Sequence, residues 1–191
     1  SEAGTYEVTI TGAGSYSGSR SLGNMTIYAK PNIDTSMACV ISSVANSGLV
    51  LDAHGATPTV GANVTAWTSN NGTNQQWIIS ADGNGYYTIK SAAGKDYVLD
   101  AAANPPKVGA NISIWSNNNQ NNQKWIIVES NGTFVFRNAA SNDLVLDATG
   151  NVPKVGANIT AWTNKNQDNQ KWKLATVSDL SFAKVSATGL V

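Results

Sequence analysis

Reactive side chains are scarce in this chain. One cysteine, Cys39, and one histidine, His54, stand among 191 residues. That leaves no thiol pair for an internal disulfide and no cysteine-based metal site, so neither a metal nor another cofactor is expected. Charge is scarce as well. Lys plus Arg balance Asp plus Glu at 12 each, and charged residues make up 13% of the chain. No basic footprint for nucleic acid or anionic membrane follows from such a balance. No apolar run approaches the roughly 18 residues of a membrane span, and no charged-then-apolar leader precedes the first β-rich stretch. Membrane insertion is not expected. The chain reads as soluble, either cytoplasmic or secreted with its leader already removed. Helical periodicity of useful length is missing throughout.

What the chain does contain is one phrase written three times. It runs LDAHGATPTVGANVTAWTSNNGTNQQW from Leu51, LDAAANPPKVGANISIWSNNNQNNQKW from Leu99 and LDATGNVPKVGANITAWTNKNQDNQKW from Leu146. Asp52, Asp100 and Asp147 lie 48 and 47 residues apart. Each is followed by one Trp at fifteen residues (Trp67, Trp115, Trp162) and another at twenty-five (Trp77, Trp125, Trp172), which accounts for all 6 tryptophans. Pro58, Pro106 and Pro153 align six residues after the aspartates, and Gly61, Gly109 and Gly156 align at nine, which fixes one connection geometry. Four short β-candidates separated by turn signals recur per copy. In the second copy they are Tyr86 to Ser91, Tyr97 to Asp100, Asn111 to Trp115 and Lys124 to Val128. A four-stranded unit cannot close its own sheet edges, but three about a pseudo-threefold axis can form a six-stranded barrel capped by hairpins. The expected fold class is therefore all-β, a β-trefoil over residues 36–176, with repeats at about 36–80, 81–128 and 129–176.

Strand alternation divides these residues into core and site. Val64 and Ala66 share one face of their strand, and Thr65 and Trp67 the other. Ile112 and Ile114 oppose Ser113 and Trp115, and Ile159 and Ala161 oppose Thr160 and Trp162. The apolar pair points inward, so the first Trp of each copy is expected outside the core, where a large aromatic usually has something to cover. In the preceding strand Leu49 and Leu51 oppose Val50 and Asp52, which sends the aspartate out of the core beside that Trp. The second Trp of each copy, in strands continuing as Ile78-Ile79 or Ile126-Ile127, reads as core. Gln75, Gln123 and Gln170, two positions before it, read as buried hydrogen-bonding residues. Cys39 aligns with Tyr87 and Phe134 and reads as a buried structural thiol. The Asn-rich stretches at Asn70-Asn71, Asn117-Asn118-Asn119 and Lys165-Asn166 read as solvated turns or added contacts. His54 has no counterpart in the other copies.

The threefold pattern of Asp, aromatic at fifteen and Asn-Gln-x-Trp resembles the ricin B-type β-trefoil lectins, whose hallmark is a threefold Q-x-W motif. The resemblance implies three candidate carbohydrate sites: Asp52, Trp67, Asn74; Asp100, Trp115, Asn122; and Asp147, Trp162, Asn169. In that family the aspartate accepts hydrogen bonds from adjacent sugar hydroxyls, the aromatic stacks on the apolar sugar face, and the Asn bonds a hydroxyl. Gln75, Trp77, Gln123, Trp125, Gln170 and Trp172 would be structural. The partners so implied are glycans of galactose, N-acetylgalactosamine or lactose type on glycoproteins or glycolipids, bound without catalysis and with no catalytic residue. A xylan-type polysaccharide-binding module of a larger secreted hydrolase is the alternative.

Outside the repeats, residues 1–35 form an N-terminal extension. Thr5 to Ile10 and Met25 to Tyr28 could pair as a hairpin around a Gly/Ser stretch from Gly12 to Gly23, or the arm could be partly disordered. Residues 177–191, with Leu180 to Val185, form a C-terminal extension that could pair with that arm. The two extensions are the expected source of any homodimer. N-x-S/T sequons occur at Asn24, Asn63, Asn71, Asn111, Asn131 and Asn158, three of them inside the repeated GAN segment.

Overall fold

The computed structural model describes residues 2–11 and 19–178. The chain divides into two compact units, one up to Pro31 and one from Asn32 onward.

The first unit is an antiparallel hairpin of β1 (Gly4–Thr11) and β2 (Ser19–Ile27). Its second strand starts at Ser19 and not at Met25. The Gly/Ser composition reads as turn, but a register shift between Val8 and Thr9, opposite Gly23 at φ 93, lets that stretch continue as strand. Alternation places Tyr6, Val8, Ile10 and Met25 on one face, and Thr5, Glu7, Thr9 and Asn24 on the other. Residues 12–18 of the expected tip, and the Leu180 to Val185 segment, lie outside the described residues.

Among the described residues the second unit holds twelve strands: β3 (Cys39–Ser43), β4 (Leu49–Ala53), β5 (Val64–Thr68), β6 (Trp77–Ala81), β7 (Tyr87–Ser91), β8 (Tyr97–Ala101), β9 (Ala110–Ser116), β10 (Trp125–Ser130), β11 (Thr133–Asn138), β12 (Ser141–Ala148), β13 (Ala157–Thr163) and β14 (Trp172–Thr176). Six of them close a ring, in which β3 pairs β6, β6 pairs β7, β7 pairs β10, β10 pairs β11, β11 pairs β14, and β14 returns to β3. The closed ring leaves no strand edge open. The other six form three hairpins, β4 with β5, β8 with β9 and β12 with β13. These hairpins are joined to one another by pairings of β13 with β5 and β9, and by a bridge from Asn63 to Ser113. A six-stranded barrel under a triplet of hairpins is the β-trefoil.

The repeated residues explain why it closes. Trp77, Trp125 and Trp172 are wholly buried, and each indole N–H donates to a main-chain carbonyl, at Leu51 (3.1 Å), Leu99 (3.4 Å) and Leu146 (3.2 Å). Each is the register partner, on the adjacent barrel strand, of the aligned core residue: Trp77 of Cys39, Trp125 of Tyr87 and Trp172 of Phe134. Cys39 is buried, and burial pushes its thiol pKa up to about 12, which fits a packing residue and no nucleophile.

Two further rings tie the copies together. Gly61, Gly109 and Gly156 hold φ of 82, 83 and 84, and their N–H groups donate at 2.8 Å to Ile114, Ala161 and Ala66 of the neighbouring copy. The GAN asparagines donate head to tail: Asn63 to Asn158 (2.8 Å), Asn158 to Asn111 (2.9 Å) and Asn111 to Asn63 (2.9 Å). Three of the sequon amides are thus spent on one another. A Cβ at position 109 would stand 3.3 Å from Cζ3 of Trp162 on a left-handed backbone. Gly109→Ala is expected to lower stability in urea unfolding by about 1–2 kcal/mol. A change within error of zero would mean that the ring does not need glycine.

Candidate functional site

Each candidate site begins with a register. In the three hairpins Asp52 pairs Thr65, Asp100 pairs Ser113 and Asp147 pairs Thr160, while the residues two positions before them, Val50, Val98 and Val145, pair the outer tryptophans Trp67, Trp115 and Trp162. Residues two apart on a strand share a face, so aspartate and indole stand as diagonal neighbours on the side away from the core. Val64, Ala66, Ile112, Ile114, Ile159 and Ala161 on the opposite side are completely buried. The division expected from alternation is what these strands display.

The aspartates are nonetheless covered, at 6, 8 and 7% exposure. The cover is a short 3-10 turn over the site, Thr73–Gln75, Asn121–Gln123 or Asp168–Gln170. No helical period marks so short a turn, and the sequence reading placed none there. It brings Asn and Gln onto one carboxylate oxygen. Oδ2 of Asp52 accepts from Asn74 Nδ2 (3.0 Å) and Gln75 Nε2 (2.7 Å), Oδ2 of Asp100 from Asn122 (3.0 Å) and Gln123 (2.8 Å), and Oδ2 of Asp147 from Asn169 (3.1 Å) and Gln170 (2.8 Å). Oδ1 of each takes no hydrogen bond among the described residues. A buried carboxylate needs such donors to remain charged. Burial still dominates its titration: all three carboxyls are pushed above the usual aspartate value, with the two amide bonds working against that shift, helped by His54 near Asp52 and by Lys165 near Asp147.

The glutamines use both amide hydrogens, and their oxygen, within the protein. Besides the aspartate, Nε2 donates to the carbonyl of Thr68, Ser116 or Thr163 at 2.9–3.0 Å, and Oε1 accepts from the N–H of Asn70, Asn118 or Lys165 at 2.7–2.9 Å. The asparagines differ from the expectation of an amide offering both donor and acceptor to a ligand. Their Nδ2 groups are used inside the protein, on the aspartate and on the carbonyl of Ala53, Ala101 or Ala148. In Asn122 and Asn169 the remaining Oδ1 is buried and unpartnered. Their observed role is to hold the carboxylate.

The indoles are open: Trp67, Trp115 and Trp162 expose 44, 45 and 39% of their surface. The edge of each leans on the αL glycine of another copy, Trp67 on Gly156, Trp115 on Gly61 and Trp162 on Gly109. A candidate site is therefore built across two repeats, which alignment of the copies alone does not show. A cleft of about 220 Å³ is lined by Asp52, His54, Trp67, Asn70 and Asn74, and one of about 320 Å³ by Asp147, Thr149, Trp162, Lys165 and Asn169 with Gly109 of the second copy. The first volume lies below, and the second at the bottom of, the range for small-ligand sites, about 300–1,000 Å³, and both suit one ring better than a long chain. The Asn-rich loops serve mainly as turns. Asn71, Asn119 and Asn166 sit at φ 60, 60 and 55, and Asn70, Asn118 and Asn164 cap N–H groups two residues on. No group of three or more His, Cys, Asp or Glu that could hold a metal occurs among the described residues.

The sequence profile of the ricin-type beta-trefoil lectin domain matches residues 38–172. A search of curated proteins finds no match. Among solved structures, the designed threefold-symmetric protein ThreeFoil is 28% identical over 75% of this chain and 100% of its own, with a TM-score of 0.69. The C-half of the earthworm R-type lectin in complex with GalNAc is 25% identical over 73% of this chain and 98% of its own, at TM-score 0.56. An exo-beta-1,3-galactanase from Clostridium thermocellum is 25% identical at TM-score 0.66, over 74% of this chain but 30% of the galactanase. With a profile match across more than half its length, on a closed trefoil that repeats its Asp, Trp and Q-x-W residues three times, the chain belongs to the ricin-type β-trefoil lectin family.

Proposed function

We propose that this chain is a multivalent lectin that binds galactose- or N-acetylgalactosamine-type glycans at up to three Asp-Trp-Asn sites, without catalysis. One observation carries the reading. In every copy an aspartate is clamped through Oδ2 while its Oδ1 has no hydrogen-bond partner among the described residues, diagonal to an indole that remains about two-fifths exposed. A fixed acceptor beside a rigid apolar plane suits a pyranose, which has hydroxyls on its edge and C–H groups on one face. The GalNAc complex of the earthworm lectin half supports the choice of sugar. Binding, and not turnover, suits these residues. The aspartates are held by amides, no ion pair to them occurs among the described residues, and burial pushes the Cys39 thiol up to about 12.

A single shallow site of this kind binds near millimolar, about −4 kcal/mol, and rigidly linked sites gain about 10² to 10⁴ in avidity on a glycan-bearing surface. The galactanase likeness favours a second reading, in which the trefoil serves as the targeting module of a longer glycoside hydrolase. Retention on insoluble xylan in preference to galactosides would select it.

Asp→Asn is the informative change, because Asp→Ala would strand two buried amide donors. The triple variant Asp52→Asn, Asp100→Asn, Asp147→Asn is expected to stay folded, with no loss of stability at neutral pH, and to lose glycan-array binding at least tenfold. Undiminished array binding by that protein would rule out these sites. Acid separates the two roles of the carboxylates. Their folded-state pKa values lie above the unfolded value, so protonation through that window favours the fold, and their contribution to stability falls as pH rises through it. Ligand binding runs the other way, since a protonated carboxyl no longer accepts from two hydroxyls. Glycan binding measured against pH is expected to decline at a pH above the ordinary aspartate value of 3.8 while circular dichroism stays native. Loss of binding only in step with unfolding would contradict it.

A further inference from the structure

The three sites share their Asp, Trp, Asn and Gln but differ at the residue eighteen positions after each aspartate, which is Asn70, Asn118 and then Lys165. Its backbone has the same place in every copy, because its N–H donates to Oε1 of the glutamine whose Nε2 clamps the aspartate. One carboxamide therefore sets the distance between that residue and the carboxylate. The side chains diverge from there. Asn70 Oδ1 accepts from the N–H of Gly72 at 2.7 Å and Asn118 Oδ1 from that of Gln120 at 3.0 Å, so both amides fold back on their own loops. Lysine has no acceptor and cannot make that turn.

Lys165 is exposed, lines the cleft of Asp147 and Trp162, and forms no ion pair among the described residues. Its charge acts at the site, since it is one of the causes drawing the Asp147 carboxyl down against burial. The other groups lining that cleft, Thr149, Asn151, Thr160, Gln167 and Asn169, are neutral, and neighbouring Asp168 is paired with Lys171 at 3.1 Å. An anionic sugar at the first two positions would meet an aspartate with no lysine beside it. At the third, the aspartate is offset.

We propose that Lys165 makes the third site a subsite for anionic galactosides, sugars that carry a carboxylate or a sulfate ester. The proposal rests on the sugar-binding reading above. Asp147 Oδ1 accepts from the hydroxyls of the ring over Trp162, and the ammonium, a compact charge with three donors on a flexible stem, meets the acidic group at the rim. Carboxylate and sulfate share this chemistry, and the experiment distinguishes them.

The test uses the full chain carrying Asp52→Asn and Asp100→Asn, so that the third site alone is read, with native circular dichroism checked first. Calorimetric titrations compare lactose, a sulfated lactose and a sialylated lactose at low salt. At least one anionic sugar is expected to bind about threefold to fivefold more tightly than lactose, the range of an exposed charge pair. That ratio should fall to one or below in Lys165→Gln, and in 1 M NaCl, where the screening length is about 3 Å. The converse protein, Asn70→Lys with Asp100→Asn and Asp147→Asn, should acquire the preference at the first site. Lactose binding with no anionic preference, or a preference that survives Lys165→Gln, overturns the role of Lys165 and leaves the lectin reading standing. Failure of all three sugars to bind the unmutated chain overturns the lectin reading itself.

Discussion

A single carboxamide, that of Gln75, Gln123 or Gln170, holds each copy of this molecule in working order. Its three polar bonds reach three different places: the buried aspartate, a carbonyl at the end of the outer-Trp strand, and the N–H of the loop that follows. Without it the carboxylate would be a buried charge with one donor, and the loop would leave a polar group unmet. With it the charge is held, its orientation is set, and the second oxygen is left for something outside the protein. The glutamine of Q-x-W is thus a structural residue on which the site depends, and the Trp two positions later, with its indole N–H on the main chain of the aspartate's strand, ties the same device to the barrel.

Closure works at a second level. Gly61, Gly109 and Gly156 each reach a different copy, first through an N–H on a cap strand and then through the bare face that accepts the edge of that copy's outer Trp. No copy could complete its site alone, because the surface under its indole belongs to another. This is a physical reason for three repeats beyond the burial of strand edges. The threefold order of the candidate-site residues and the threefold order of the fold are one arrangement, since each GAN turn stands against the outer Trp of another copy.

Much of this was legible before any coordinates. Alternation in β5, β9 and β13 separated Val64 and Ala66 from Thr65 and Trp67 because a strand's period is 2, and no tertiary contact can alter which residues share a face. Cys39 could be placed in the core because it occupies the position of Tyr87 and Phe134. The 3-10 turn was not legible, since three residues carry no period, and so Asp52 was expected more open than the turn leaves it. The same gap hid the fate of the Asn74, Asn122 and Asn169 amides, whose donors turn inward onto the aspartate and a carbonyl. The start of β2 at Ser19 was missed because glycine and serine signal a turn by composition, while a bulge needs only one glycine in the right conformation.

Where the copies differ follows from which atoms the architecture uses. The residue two positions after each aspartate, His54, Ala102 or Thr149, shares across the copies only its N–H bond, which donates at 2.8–2.9 Å to the carbonyl of the GAN asparagine; Thr149 adds its Oγ1 to that carbonyl at 2.9 Å. The residue at eighteen likewise shares across the copies only an N–H bond, to the glutamine. At both positions the backbone bond is common to the copies and the side chain differs, and His54 and Asn70, like Thr149 and Lys165, line their clefts. The residues common to all three copies, Asp, Asn, Gln and both tryptophans, are those whose side chains build the clamp, the core or the open plane. A repeated scaffold of this kind can change the rim of one site without cost to the other two. The placement of a histidine in one copy and a lysine in another is therefore where distinct specificities can arise on a single fold.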